Sequence, residues 1–230
     1  MHPETQEQIT IQASQFDSND RILLSQEQTD FFVGMHPLQP LVRVDGFDTD
    51  YTQCAANTPI GIDLDGSGRV ERMRNDVDID ISGDGHVAHL FQWFAPTEGI
   101  LLDALLAMQD GVISDGHFVG AAENSRRLRK FSGAVTGRHL FGDMGSFFAD
   151  GFEKLSVLDA NKDGSVQGAE LAGLAVWVDA NSNAIVDVGE LNALASYGIV
   201  RLSTTHDDYV SSAQLADGSV MVTEDLWFMH

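Results

Sequence analysis

The hydrophobic and polar positions divide the chain into two parts with different patterns. Residues 1–57 are rich in Gln and Thr, with only short apolar runs. The alternation of apolar and polar residues from Gln8 to Phe16 is typical of an edge strand. From residue 58 onward, short Asp/Gly loops separate apolar stretches. The pattern therefore predicts an N-terminal appendage with some strand over residues 1–57 and a second domain over residues 58–230.

Apolar periodicity predicts short helices in the second domain. Phe148, Phe152 and Leu155 recur at the spacing of one helix face, so a helix is expected to end near residue 158. A second helix is predicted at residues 191–197, where Gly198 would stop it.

Strand and turn signals follow these helices along the chain. Residues 199–202 predict a strand, and Asp217-Gly218 between two apolar runs is typical of a hairpin turn. Helices and strands together predict an α+β fold, in which short helices accompany small strands and hairpins.

The charge balance excludes several classes of function. Lys and Arg total 13 and Asp and Glu total 35, so the formal net charge is −22. This balance argues against nucleic-acid binding, which needs a basic face, and against docking on anionic membranes. No run of 18 apolar residues predicts a membrane span, and the first residues lack the pattern of a classical signal peptide. Cys54 is the single cysteine, so no internal disulfide can form.

Residues 159–170 match the twelve-residue EF-hand calcium loop at every informative position. Gly164 at position 6 permits the sharp turn. Val166 at position 8 is predicted to pack inward and to join a short strand to a partner loop. A hard cation needs such a cage of oxygen atoms. The predicted ligands at positions 1, 3, 5, 7, 9 and 12 are Asp159, Asn161, Asp163, Ser165 (through its carbonyl), Gln167 and Glu170.

Residues 179–190 repeat the pattern with one departure. Position 6 is Ala184 instead of Gly, and a β-carbon there costs about 1 kcal/mol if φ is positive, so a weaker site is predicted. The first positions of the two loops are only 20 residues apart, so one short helix is expected to leave the first loop and enter the second. The predicted ligands are Asp179, Asn181, Asn183, Ile185 (through its carbonyl), Asp187 and Glu190.

Two further loops carry part of the same pattern, which raises the predicted number of Ca²⁺ sites from two to as many as four. The loop beginning at Asp63 has Arg at position 12, so its last ligand must come from elsewhere, and Glu71, Asp76 or Asp78 could supply it. The loop beginning at Asp80 has Phe91 at position 12 and no closing carboxylate. The candidate ligands are Asp63, Asp65, Ser67 and Arg69 in the first of these loops, and Asp80, Ser82 and Asp84 in the second.

A basic segment interrupts the acidic background. Its residues could dock a protein partner, or they could pair with the chain's own carboxylates or be solvated. Catalytic motifs such as HExxH, a nucleophile elbow or a P-loop are missing, and His86 with His89 is too few ligands for a zinc site. The basic residues are Arg126, Arg127, Arg129, Lys130 and Arg138.

The order of these motifs resembles a known family. Pro59-Ile-Gly-Ile-Asp-Leu-Asp-Gly, then Trp93-Phe-Ala-Pro-Thr-Glu-Gly, then Leu140-Phe-Gly-Asp, and finally Glu224-Asp-Leu-Trp-Phe follow one another with the calcium loops between them. Over residues 59–228 this resembles the calcium-binding, self-processing module of iron-regulated RTX proteins, which are secreted by bacteria. Against that pattern, residues 117–138 look like an insertion.

The resemblance implies a fold that depends on calcium and a self-cleaved Asp-Pro bond, whose aspartyl group can be transferred to a lysine. Here the corresponding bond is Thr58-Pro59, and a Thr hydroxyl cannot form the cyclic anhydride that this cleavage needs. The family's Glu before Leu-Phe-Gly-Asp is His139. We therefore expect a calcium-binding module that is not an enzyme, secreted or displayed on the cell surface by type I export. The alternatives are a diverged self-processing module and a protein-interaction module that uses residues 126–138.

Overall fold

The computed structural model describes residues 8–12, 41–45, 52–53, 56–110, 112, 133–144 and 147–229. The chain divides into two compact units, residues 1–56 and residues 57–230. In the first unit, β1 (Gln8–Gln12), β2 (Leu41–Asp45) and β3 (Thr52–Gln53) form a three-stranded sheet in that order. The strand β1 is parallel to β2 and lies at one edge, within the segment where alternation predicts an edge strand.

The second unit consists mainly of strands. The short strand β4 (Ala56–Asn57) contains the division between the two units. The strands that follow in chain order are β5 (Ile60–Ile62), β6 (Arg72–Ile79), β7 (Ala88–Phe94), β8 (Gly99–Asp103), β9 (Ser165–Gln167), β10 (Leu174–Trp177), β11 (Leu191–Ala193), β12 (Ile199–Ser203), β13 (Val210–Leu215), β14 (Val220–Asp225) and β15 (Phe228–Met229).

Eight of these strands form one curled antiparallel sheet in the order β11-β10-β8-β5-β14-β13-β12-β9. The strands β6 and β7 form a separate antiparallel pair. The α helices of the described residues are α1 (Ala104–Gln109) and α2 (Gly151–Ser156), and 3₁₀ turns cover Gly168–Leu171 and Leu194–Tyr197. None of the helices in the described ranges has the length and apolar character required to cross a bilayer.

The middle of the sheet is buried on both faces. Successive side chains of a strand point to opposite sides, so one strand can contribute to two apolar clusters. Ile100 and Leu102 of β8 belong to one apolar cluster together with Trp177. Leu101, between them, belongs to the other cluster together with Val176. The continuous apolar runs in β8 and β10 therefore contribute side chains to both clusters.

The predicted α+β fold is wrong, because the second unit consists mainly of β strands and its described residues include only two short α helices. Residues 171–178 were expected to form a helix between the two loops, but a 3₁₀ turn is followed there by β10, all of whose side chains are buried. A short, fully apolar run suits a two-faced central strand and a buried helix equally well, so periodicity cannot separate them. Its neighbours β8 and β11 supply the pairing that makes it a strand.

The other predicted elements have mixed outcomes. The predicted helix at residues 191–197 is β11 followed by a 3₁₀ turn, although Gly198 does end it with a φ of 73°. The predicted helix before residue 158 is confirmed as α2, which begins after its cap Asp150 instead of at Phe148. The strand β12 and the β13–β14 hairpin around Gly218 are confirmed.

Candidate metal centre

Four loops of the second unit fold in the same way around their first acidic residue. In each loop, the carboxylate at position 1 accepts hydrogen bonds from the backbone N–H groups of positions 5 and 6. These acceptors are Asp159 (3.2 and 2.9 Å), Asp179 (3.1 and 2.7 Å), Asp63 (3.1 and 2.7 Å) and Asp80 (3.1 and 3.0 Å). A sequence pattern found in four places thus corresponds to one repeated backbone shape.

Positions 4 and 6 of each loop have positive φ angles, which let the chain wrap around the first carboxylate. Position 6 is Gly164 with φ 82° in the loop of residues 159–170, called the Asp159 loop below. In the loop of residues 179–190, called the Asp179 loop, position 6 is Ala184 with φ 58°. The conformation on which the predicted cost at Ala184 depends is therefore present.

The last carboxylate of the Asp159 loop reaches back over the beginning of the loop. Glu170 accepts from the N–H of Ala160 (3.0 Å) and from the N–H of Gln167 (3.1 Å). Asp163 accepts from the amide groups of Asn161 (3.0 Å) and Gln167 (2.7 Å). The hydrogen bond from the Ser165 hydroxyl lowers the pKa of the Asp163 carboxyl. The side chains of positions 3, 5 and 9 thus belong to one hydrogen-bond network, which the backbone N–H of Gln167 joins to Glu170.

The backbone beyond position 7 departs from the predicted loop pair. Val166 is fully buried, as predicted, but its strand β9 pairs with β12, where Val166 faces Leu202. Val186, at position 8 of the Asp179 loop, instead forms a bridge with Gly133. The predicted joining of the two loops by a short strand pair is therefore wrong, because the extended strand β10 separates them.

The Asp179 loop is built into the hydrophobic core. Asp179 is 2% exposed, and its carboxylate accepts from the indole N–H of Trp93 at 2.7 Å. Glu190 accepts from the indole N–H of Trp177 at 3.2 Å and from the backbone N–H of Ala180 at 2.9 Å. Burial raises the pKa of the Asp179 carboxyl. The first and last acids of this loop thus contact the two tryptophans at the centre of the core.

The middle positions of the Asp179 loop gather around a third carboxylate. Asp187 accepts from the amide groups of Asn181 (2.7 Å) and Asn183 (3.0 Å). Ile185, the predicted carbonyl ligand, has a half-exposed side chain and donates its N–H to Asn183. Amide and carboxylate oxygens are the ligand types that a hard cation such as Ca²⁺ requires.

The loop of residues 63–70, called the Asp63 loop, meets a carboxylate that the sequence did not assign to it. Asp63, Asp65 and Glu98 each offer an oxygen, and these oxygens all lie within 4.8 Å of one another. In the described part of the chain, this is the single group of three such acids, histidines or cysteines. Burial, followed by the charges of Asp65 and Asp63, raises the pKa of Glu98 to about 7.

The side chains of the acids predicted to close the Asp63 loop make other contacts or are exposed. Glu71 forms an ion pair with Arg69 at 2.9 Å, and Asp78 contacts His89 at 2.7 Å. Asp76 lies in β6 with an exposed side chain. Within the loop, the Ser67 hydroxyl donates to the carbonyl of Arg69 at 2.9 Å, so the predicted position 5 and position 7 ligands contact each other.

In the loop that begins at Asp80, the acidic side chains make contacts within the loop and with a neighbouring histidine. Asp84 accepts from the backbone N–H of His86 at 2.8 Å, and this hydrogen bond lowers its pKa. Ser82 lies 3.5 Å from Asp80. His86 and His89 contact different carboxylates, those of Asp84 and Asp78, so nothing in these contacts brings them together as metal ligands.

The predicted partner-binding segment falls mostly outside the described residues. Arg138 is described, and its guanidinium forms an ion pair with Asp110 at 2.9 Å. Arg138 thus pairs with one of the chain's own carboxylates. The predicted residues outside the described ranges are Arg126, Arg127, Arg129 and Lys130.

A second group of buried acids surrounds the Thr58-Pro59 bond. The N–H of Thr58 donates to Asp143 at 3.2 Å, and the N–H of Asp143 donates to the Thr58 hydroxyl at 3.1 Å. Asp225 accepts from the N–H of Gly151 at 2.7 Å, and its other oxygen has no hydrogen-bond partner. Burial raises the pKa of Asp225 to about 7. The Thr58-Pro59 bond thus lies in a buried, acidic surrounding.

Sequence reasoning missed three side chains that complete these sites. Glu98 precedes the apolar run of β8 and is fully buried, and an acid at the start of such a run is the signal that was available. The sequence analysis gave Trp93 and Trp177 no role in the loops, although an indole N–H buried in a core generally needs an acceptor.

The comparison with known proteins gives one assignment. A search of curated proteins finds no match to this chain. The sequence model of the SPM domain matches residues 60–229, a span that contains the four loops and Glu98. Because this match covers well over half of the sequence, the chain belongs to the SPM domain family.

Proposed function

We propose that this chain is a non-catalytic calcium-binding module whose folding depends on Ca²⁺. The observation that carries the proposal is the shared geometry of the Asp159 and Asp179 loops. In both, a first Asp is wrapped by backbone N–H groups, and a last Glu reaches back across the loop. Carboxylate and amide oxygens in a loop of this length are suited to a hard cation with six to eight ligands.

The net charge of the chain supports a role for calcium in folding. At −22, unscreened carboxylates repel one another in a compact state. Bound Ca²⁺ ions remove part of this repulsion. A site that exists only in the folded chain also adds its binding free energy to folding.

We infer a location outside the cell from the expected affinity. Extracellular calcium modules bind with dissociation constants of about 10⁻⁴–10⁻³ M, far above resting cytosolic calcium. Such a chain stays loosely folded before export and folds afterwards as a structural or partner-binding unit. Type I export, as the resemblance to RTX proteins implies, suits this order of events.

The alternative is a diverged calcium-triggered self-processing module. The buried group of Asp143 and Asp225 beside Thr58-Pro59 favours it, because a protonated acid next to a peptide bond is a candidate proton donor. Against it, the Thr58 side chain offers no carboxylate to attack its own carbonyl carbon. We therefore rank this alternative second.

Calorimetry of chelator-stripped protein titrated with Ca²⁺ or Mg²⁺, paired with thermal unfolding, tests the proposal. The double variant Glu170→Gln and Glu190→Gln should lose the calcium uptake of these two loops and most of the calcium-dependent rise in Tm. The matched control, Glu71→Gln with Asp76→Asn, removes the same charge outside both loops and should retain them. Equal uptake by both variants would refute the loop sites, and two new fragments in the intact-mass spectrum after calcium addition would favour self-processing.

A further inference from the structure

We propose that Asp63, Asp65 and Glu98 form a third site for a hard divalent cation, in which Glu98 serves as the closing ligand of the Asp63 loop. This inference rests on the proposed calcium-binding function and adds a site of different construction. The closing carboxylate comes from a different strand instead of position 12 of the same loop.

Sheet pairing explains why Glu98 lies at this loop. The strands β5 and β8 are antiparallel, and Ile62 is paired with Gly99. Asp63 follows Ile62 and Glu98 precedes Gly99, so the same register places these two acids opposite each other at the end of the pair. Directly opposed residues have β-carbons about 5 Å apart, which lets two carboxylates share one ion.

The spacing of the oxygens agrees with a single ion. Ca²⁺ binds oxygen at 2.3–2.6 Å, so two ligands on opposite sides of the ion lie about 5 Å apart. The oxygens of Asp63, Asp65 and Glu98 all lie within 4.8 Å of one another. One cation can therefore contact all three carboxylates without a large backbone movement.

The Glu98 carboxylate supplies an observation that is independent of the cluster itself. Its residue is fully buried, and its Oε2 atom has no hydrogen-bond partner. Its Oε1 atom accepts a long hydrogen bond from the Thr97 hydroxyl, at 3.3 Å. A buried acceptor without a donor is unfavourable, and more so when it is charged. A cation between the three carboxylates would satisfy this atom.

The basic residue nearest in sequence does not neutralise the cluster. Arg69, in the same loop, is engaged by Glu71 at 2.9 Å. In the described part of the chain, no Lys, Arg or His forms an ion pair with Asp63, Asp65 or Glu98. Asp63 is held by hydrogen bonds from the backbone N–H groups of Gly66, Ser67 and Gly68, none of which carries a full positive charge.

The test counts bound Ca²⁺ ions by native mass spectrometry in the full chain and in two variants of equal charge. Glu98→Gln should bind one Ca²⁺ fewer than the wild type at every calcium concentration that fills the other sites. Glu71→Gln removes the same charge from one of the three acids that the sequence offered as a closing ligand, and it should keep the full count. Asp65→Asn, at the exposed side of the site, should behave like Glu98→Gln.

A measurement in chelator separates ion binding from a structural role. Glu98→Gln removes one of three adjacent like charges, so without calcium its Tm should equal or exceed that of the wild type. A lower Tm in chelator would mean that Glu98 stabilises the fold directly, and this would overturn the proposal. An unchanged ion count in Glu98→Gln would also overturn it. If Glu170→Gln and Glu190→Gln still each remove one ion, the proposed function would stand without this third site.

Discussion

The Asp159 and Asp179 loops have nearly the same ligand chemistry but different surroundings. The Asp159 loop lies at the edge strand β9, and its polar side chains contact mainly one another. The Asp179 loop follows the buried strand β10, and Trp93 and Trp177 donate to its first and last acids. Loops with the same ligand pattern can therefore make contacts mainly within themselves or be packed into the hydrophobic core, depending on which strands carry them.

This difference predicts that calcium at the Asp179 loop stabilises the whole second unit. At a calcium concentration 100 times the dissociation constant, a site contributes about 2.7 kcal/mol if it is lost only on global unfolding. Glu190→Gln should remove about this amount from the calcium-dependent free energy of unfolding, measured in urea. It should also abolish the calcium-dependent change in tryptophan emission, because Trp177 donates to Glu190. Retention of both signals would show that this loop is not coupled to the core.

The corresponding change in the Asp159 loop should have a smaller global effect. Edge strands open locally at a lower free energy than the core, so an ion bound there can be lost without global unfolding. Glu170→Gln is therefore expected to reduce the calcium-dependent stabilisation by less than Glu190→Gln does, and to leave the tryptophan emission change intact. A larger loss from Glu170→Gln would reverse the comparison.

Substitutions at position 6 should have smaller effects on stability that also differ between the two loops. Gly164→Ala places a β-carbon at φ 82° and should lower the stability of the calcium-bound state by about 1 kcal/mol. Ala184→Gly relieves similar strain but removes a methyl group that is 97% buried, worth about 0.8 kcal/mol, so its net effect should be close to zero. Urea unfolding in saturating calcium measures the free energy of unfolding of both variants. Equal changes in the two variants would contradict these expectations.

The two loops should also respond to pH in opposite directions when calcium is removed. Burial raises the pKa of Asp179 above its ordinary value of 3.8, so its contribution to stability is fully present below that value and is lost as pH rises through the folded pKa. The pKa of Asp163 is lowered, so its contribution is present above 3.8 and is lost as pH falls. Unfolding of Asp179→Asn and Asp163→Asn in chelator, over a pH range that extends from below 3.8 to neutral, should differ from the wild type with opposite slopes. Slopes of the same sign would contradict this assignment.

The sequence was sufficient to locate the Asp159 and Asp179 loops because their chemistry is local. Twelve consecutive residues carry the acids, the amides and the turn, and their spacing needs no knowledge of the rest of the chain. The strand β12 and the Gly218 hairpin were readable for the same reason. Glu98 was not readable, because its position beside Asp63 depends on the β5–β8 register, which joins residues 35 positions apart.

The predicted helix between the loops failed for a related reason. Residues 174–177 are apolar without interruption, so no period favours helix or strand. Only the antiparallel partners on both sides, β8 and β11, decide the outcome. Local patterns therefore predicted the loops of this chain better than the strands that carry them.

Hydrogen exchange followed by mass spectrometry, with and without Ca²⁺, is the experiment that shows whether both loops bind calcium. We expect calcium to protect the backbone amides of both the Asp159 and the Asp179 loops. We also expect protection to spread from the Asp179 loop into β7 and β10, which carry Trp93 and Trp177. Exchange rates in both loops that do not change when saturating calcium is added would contradict the proposed calcium sites.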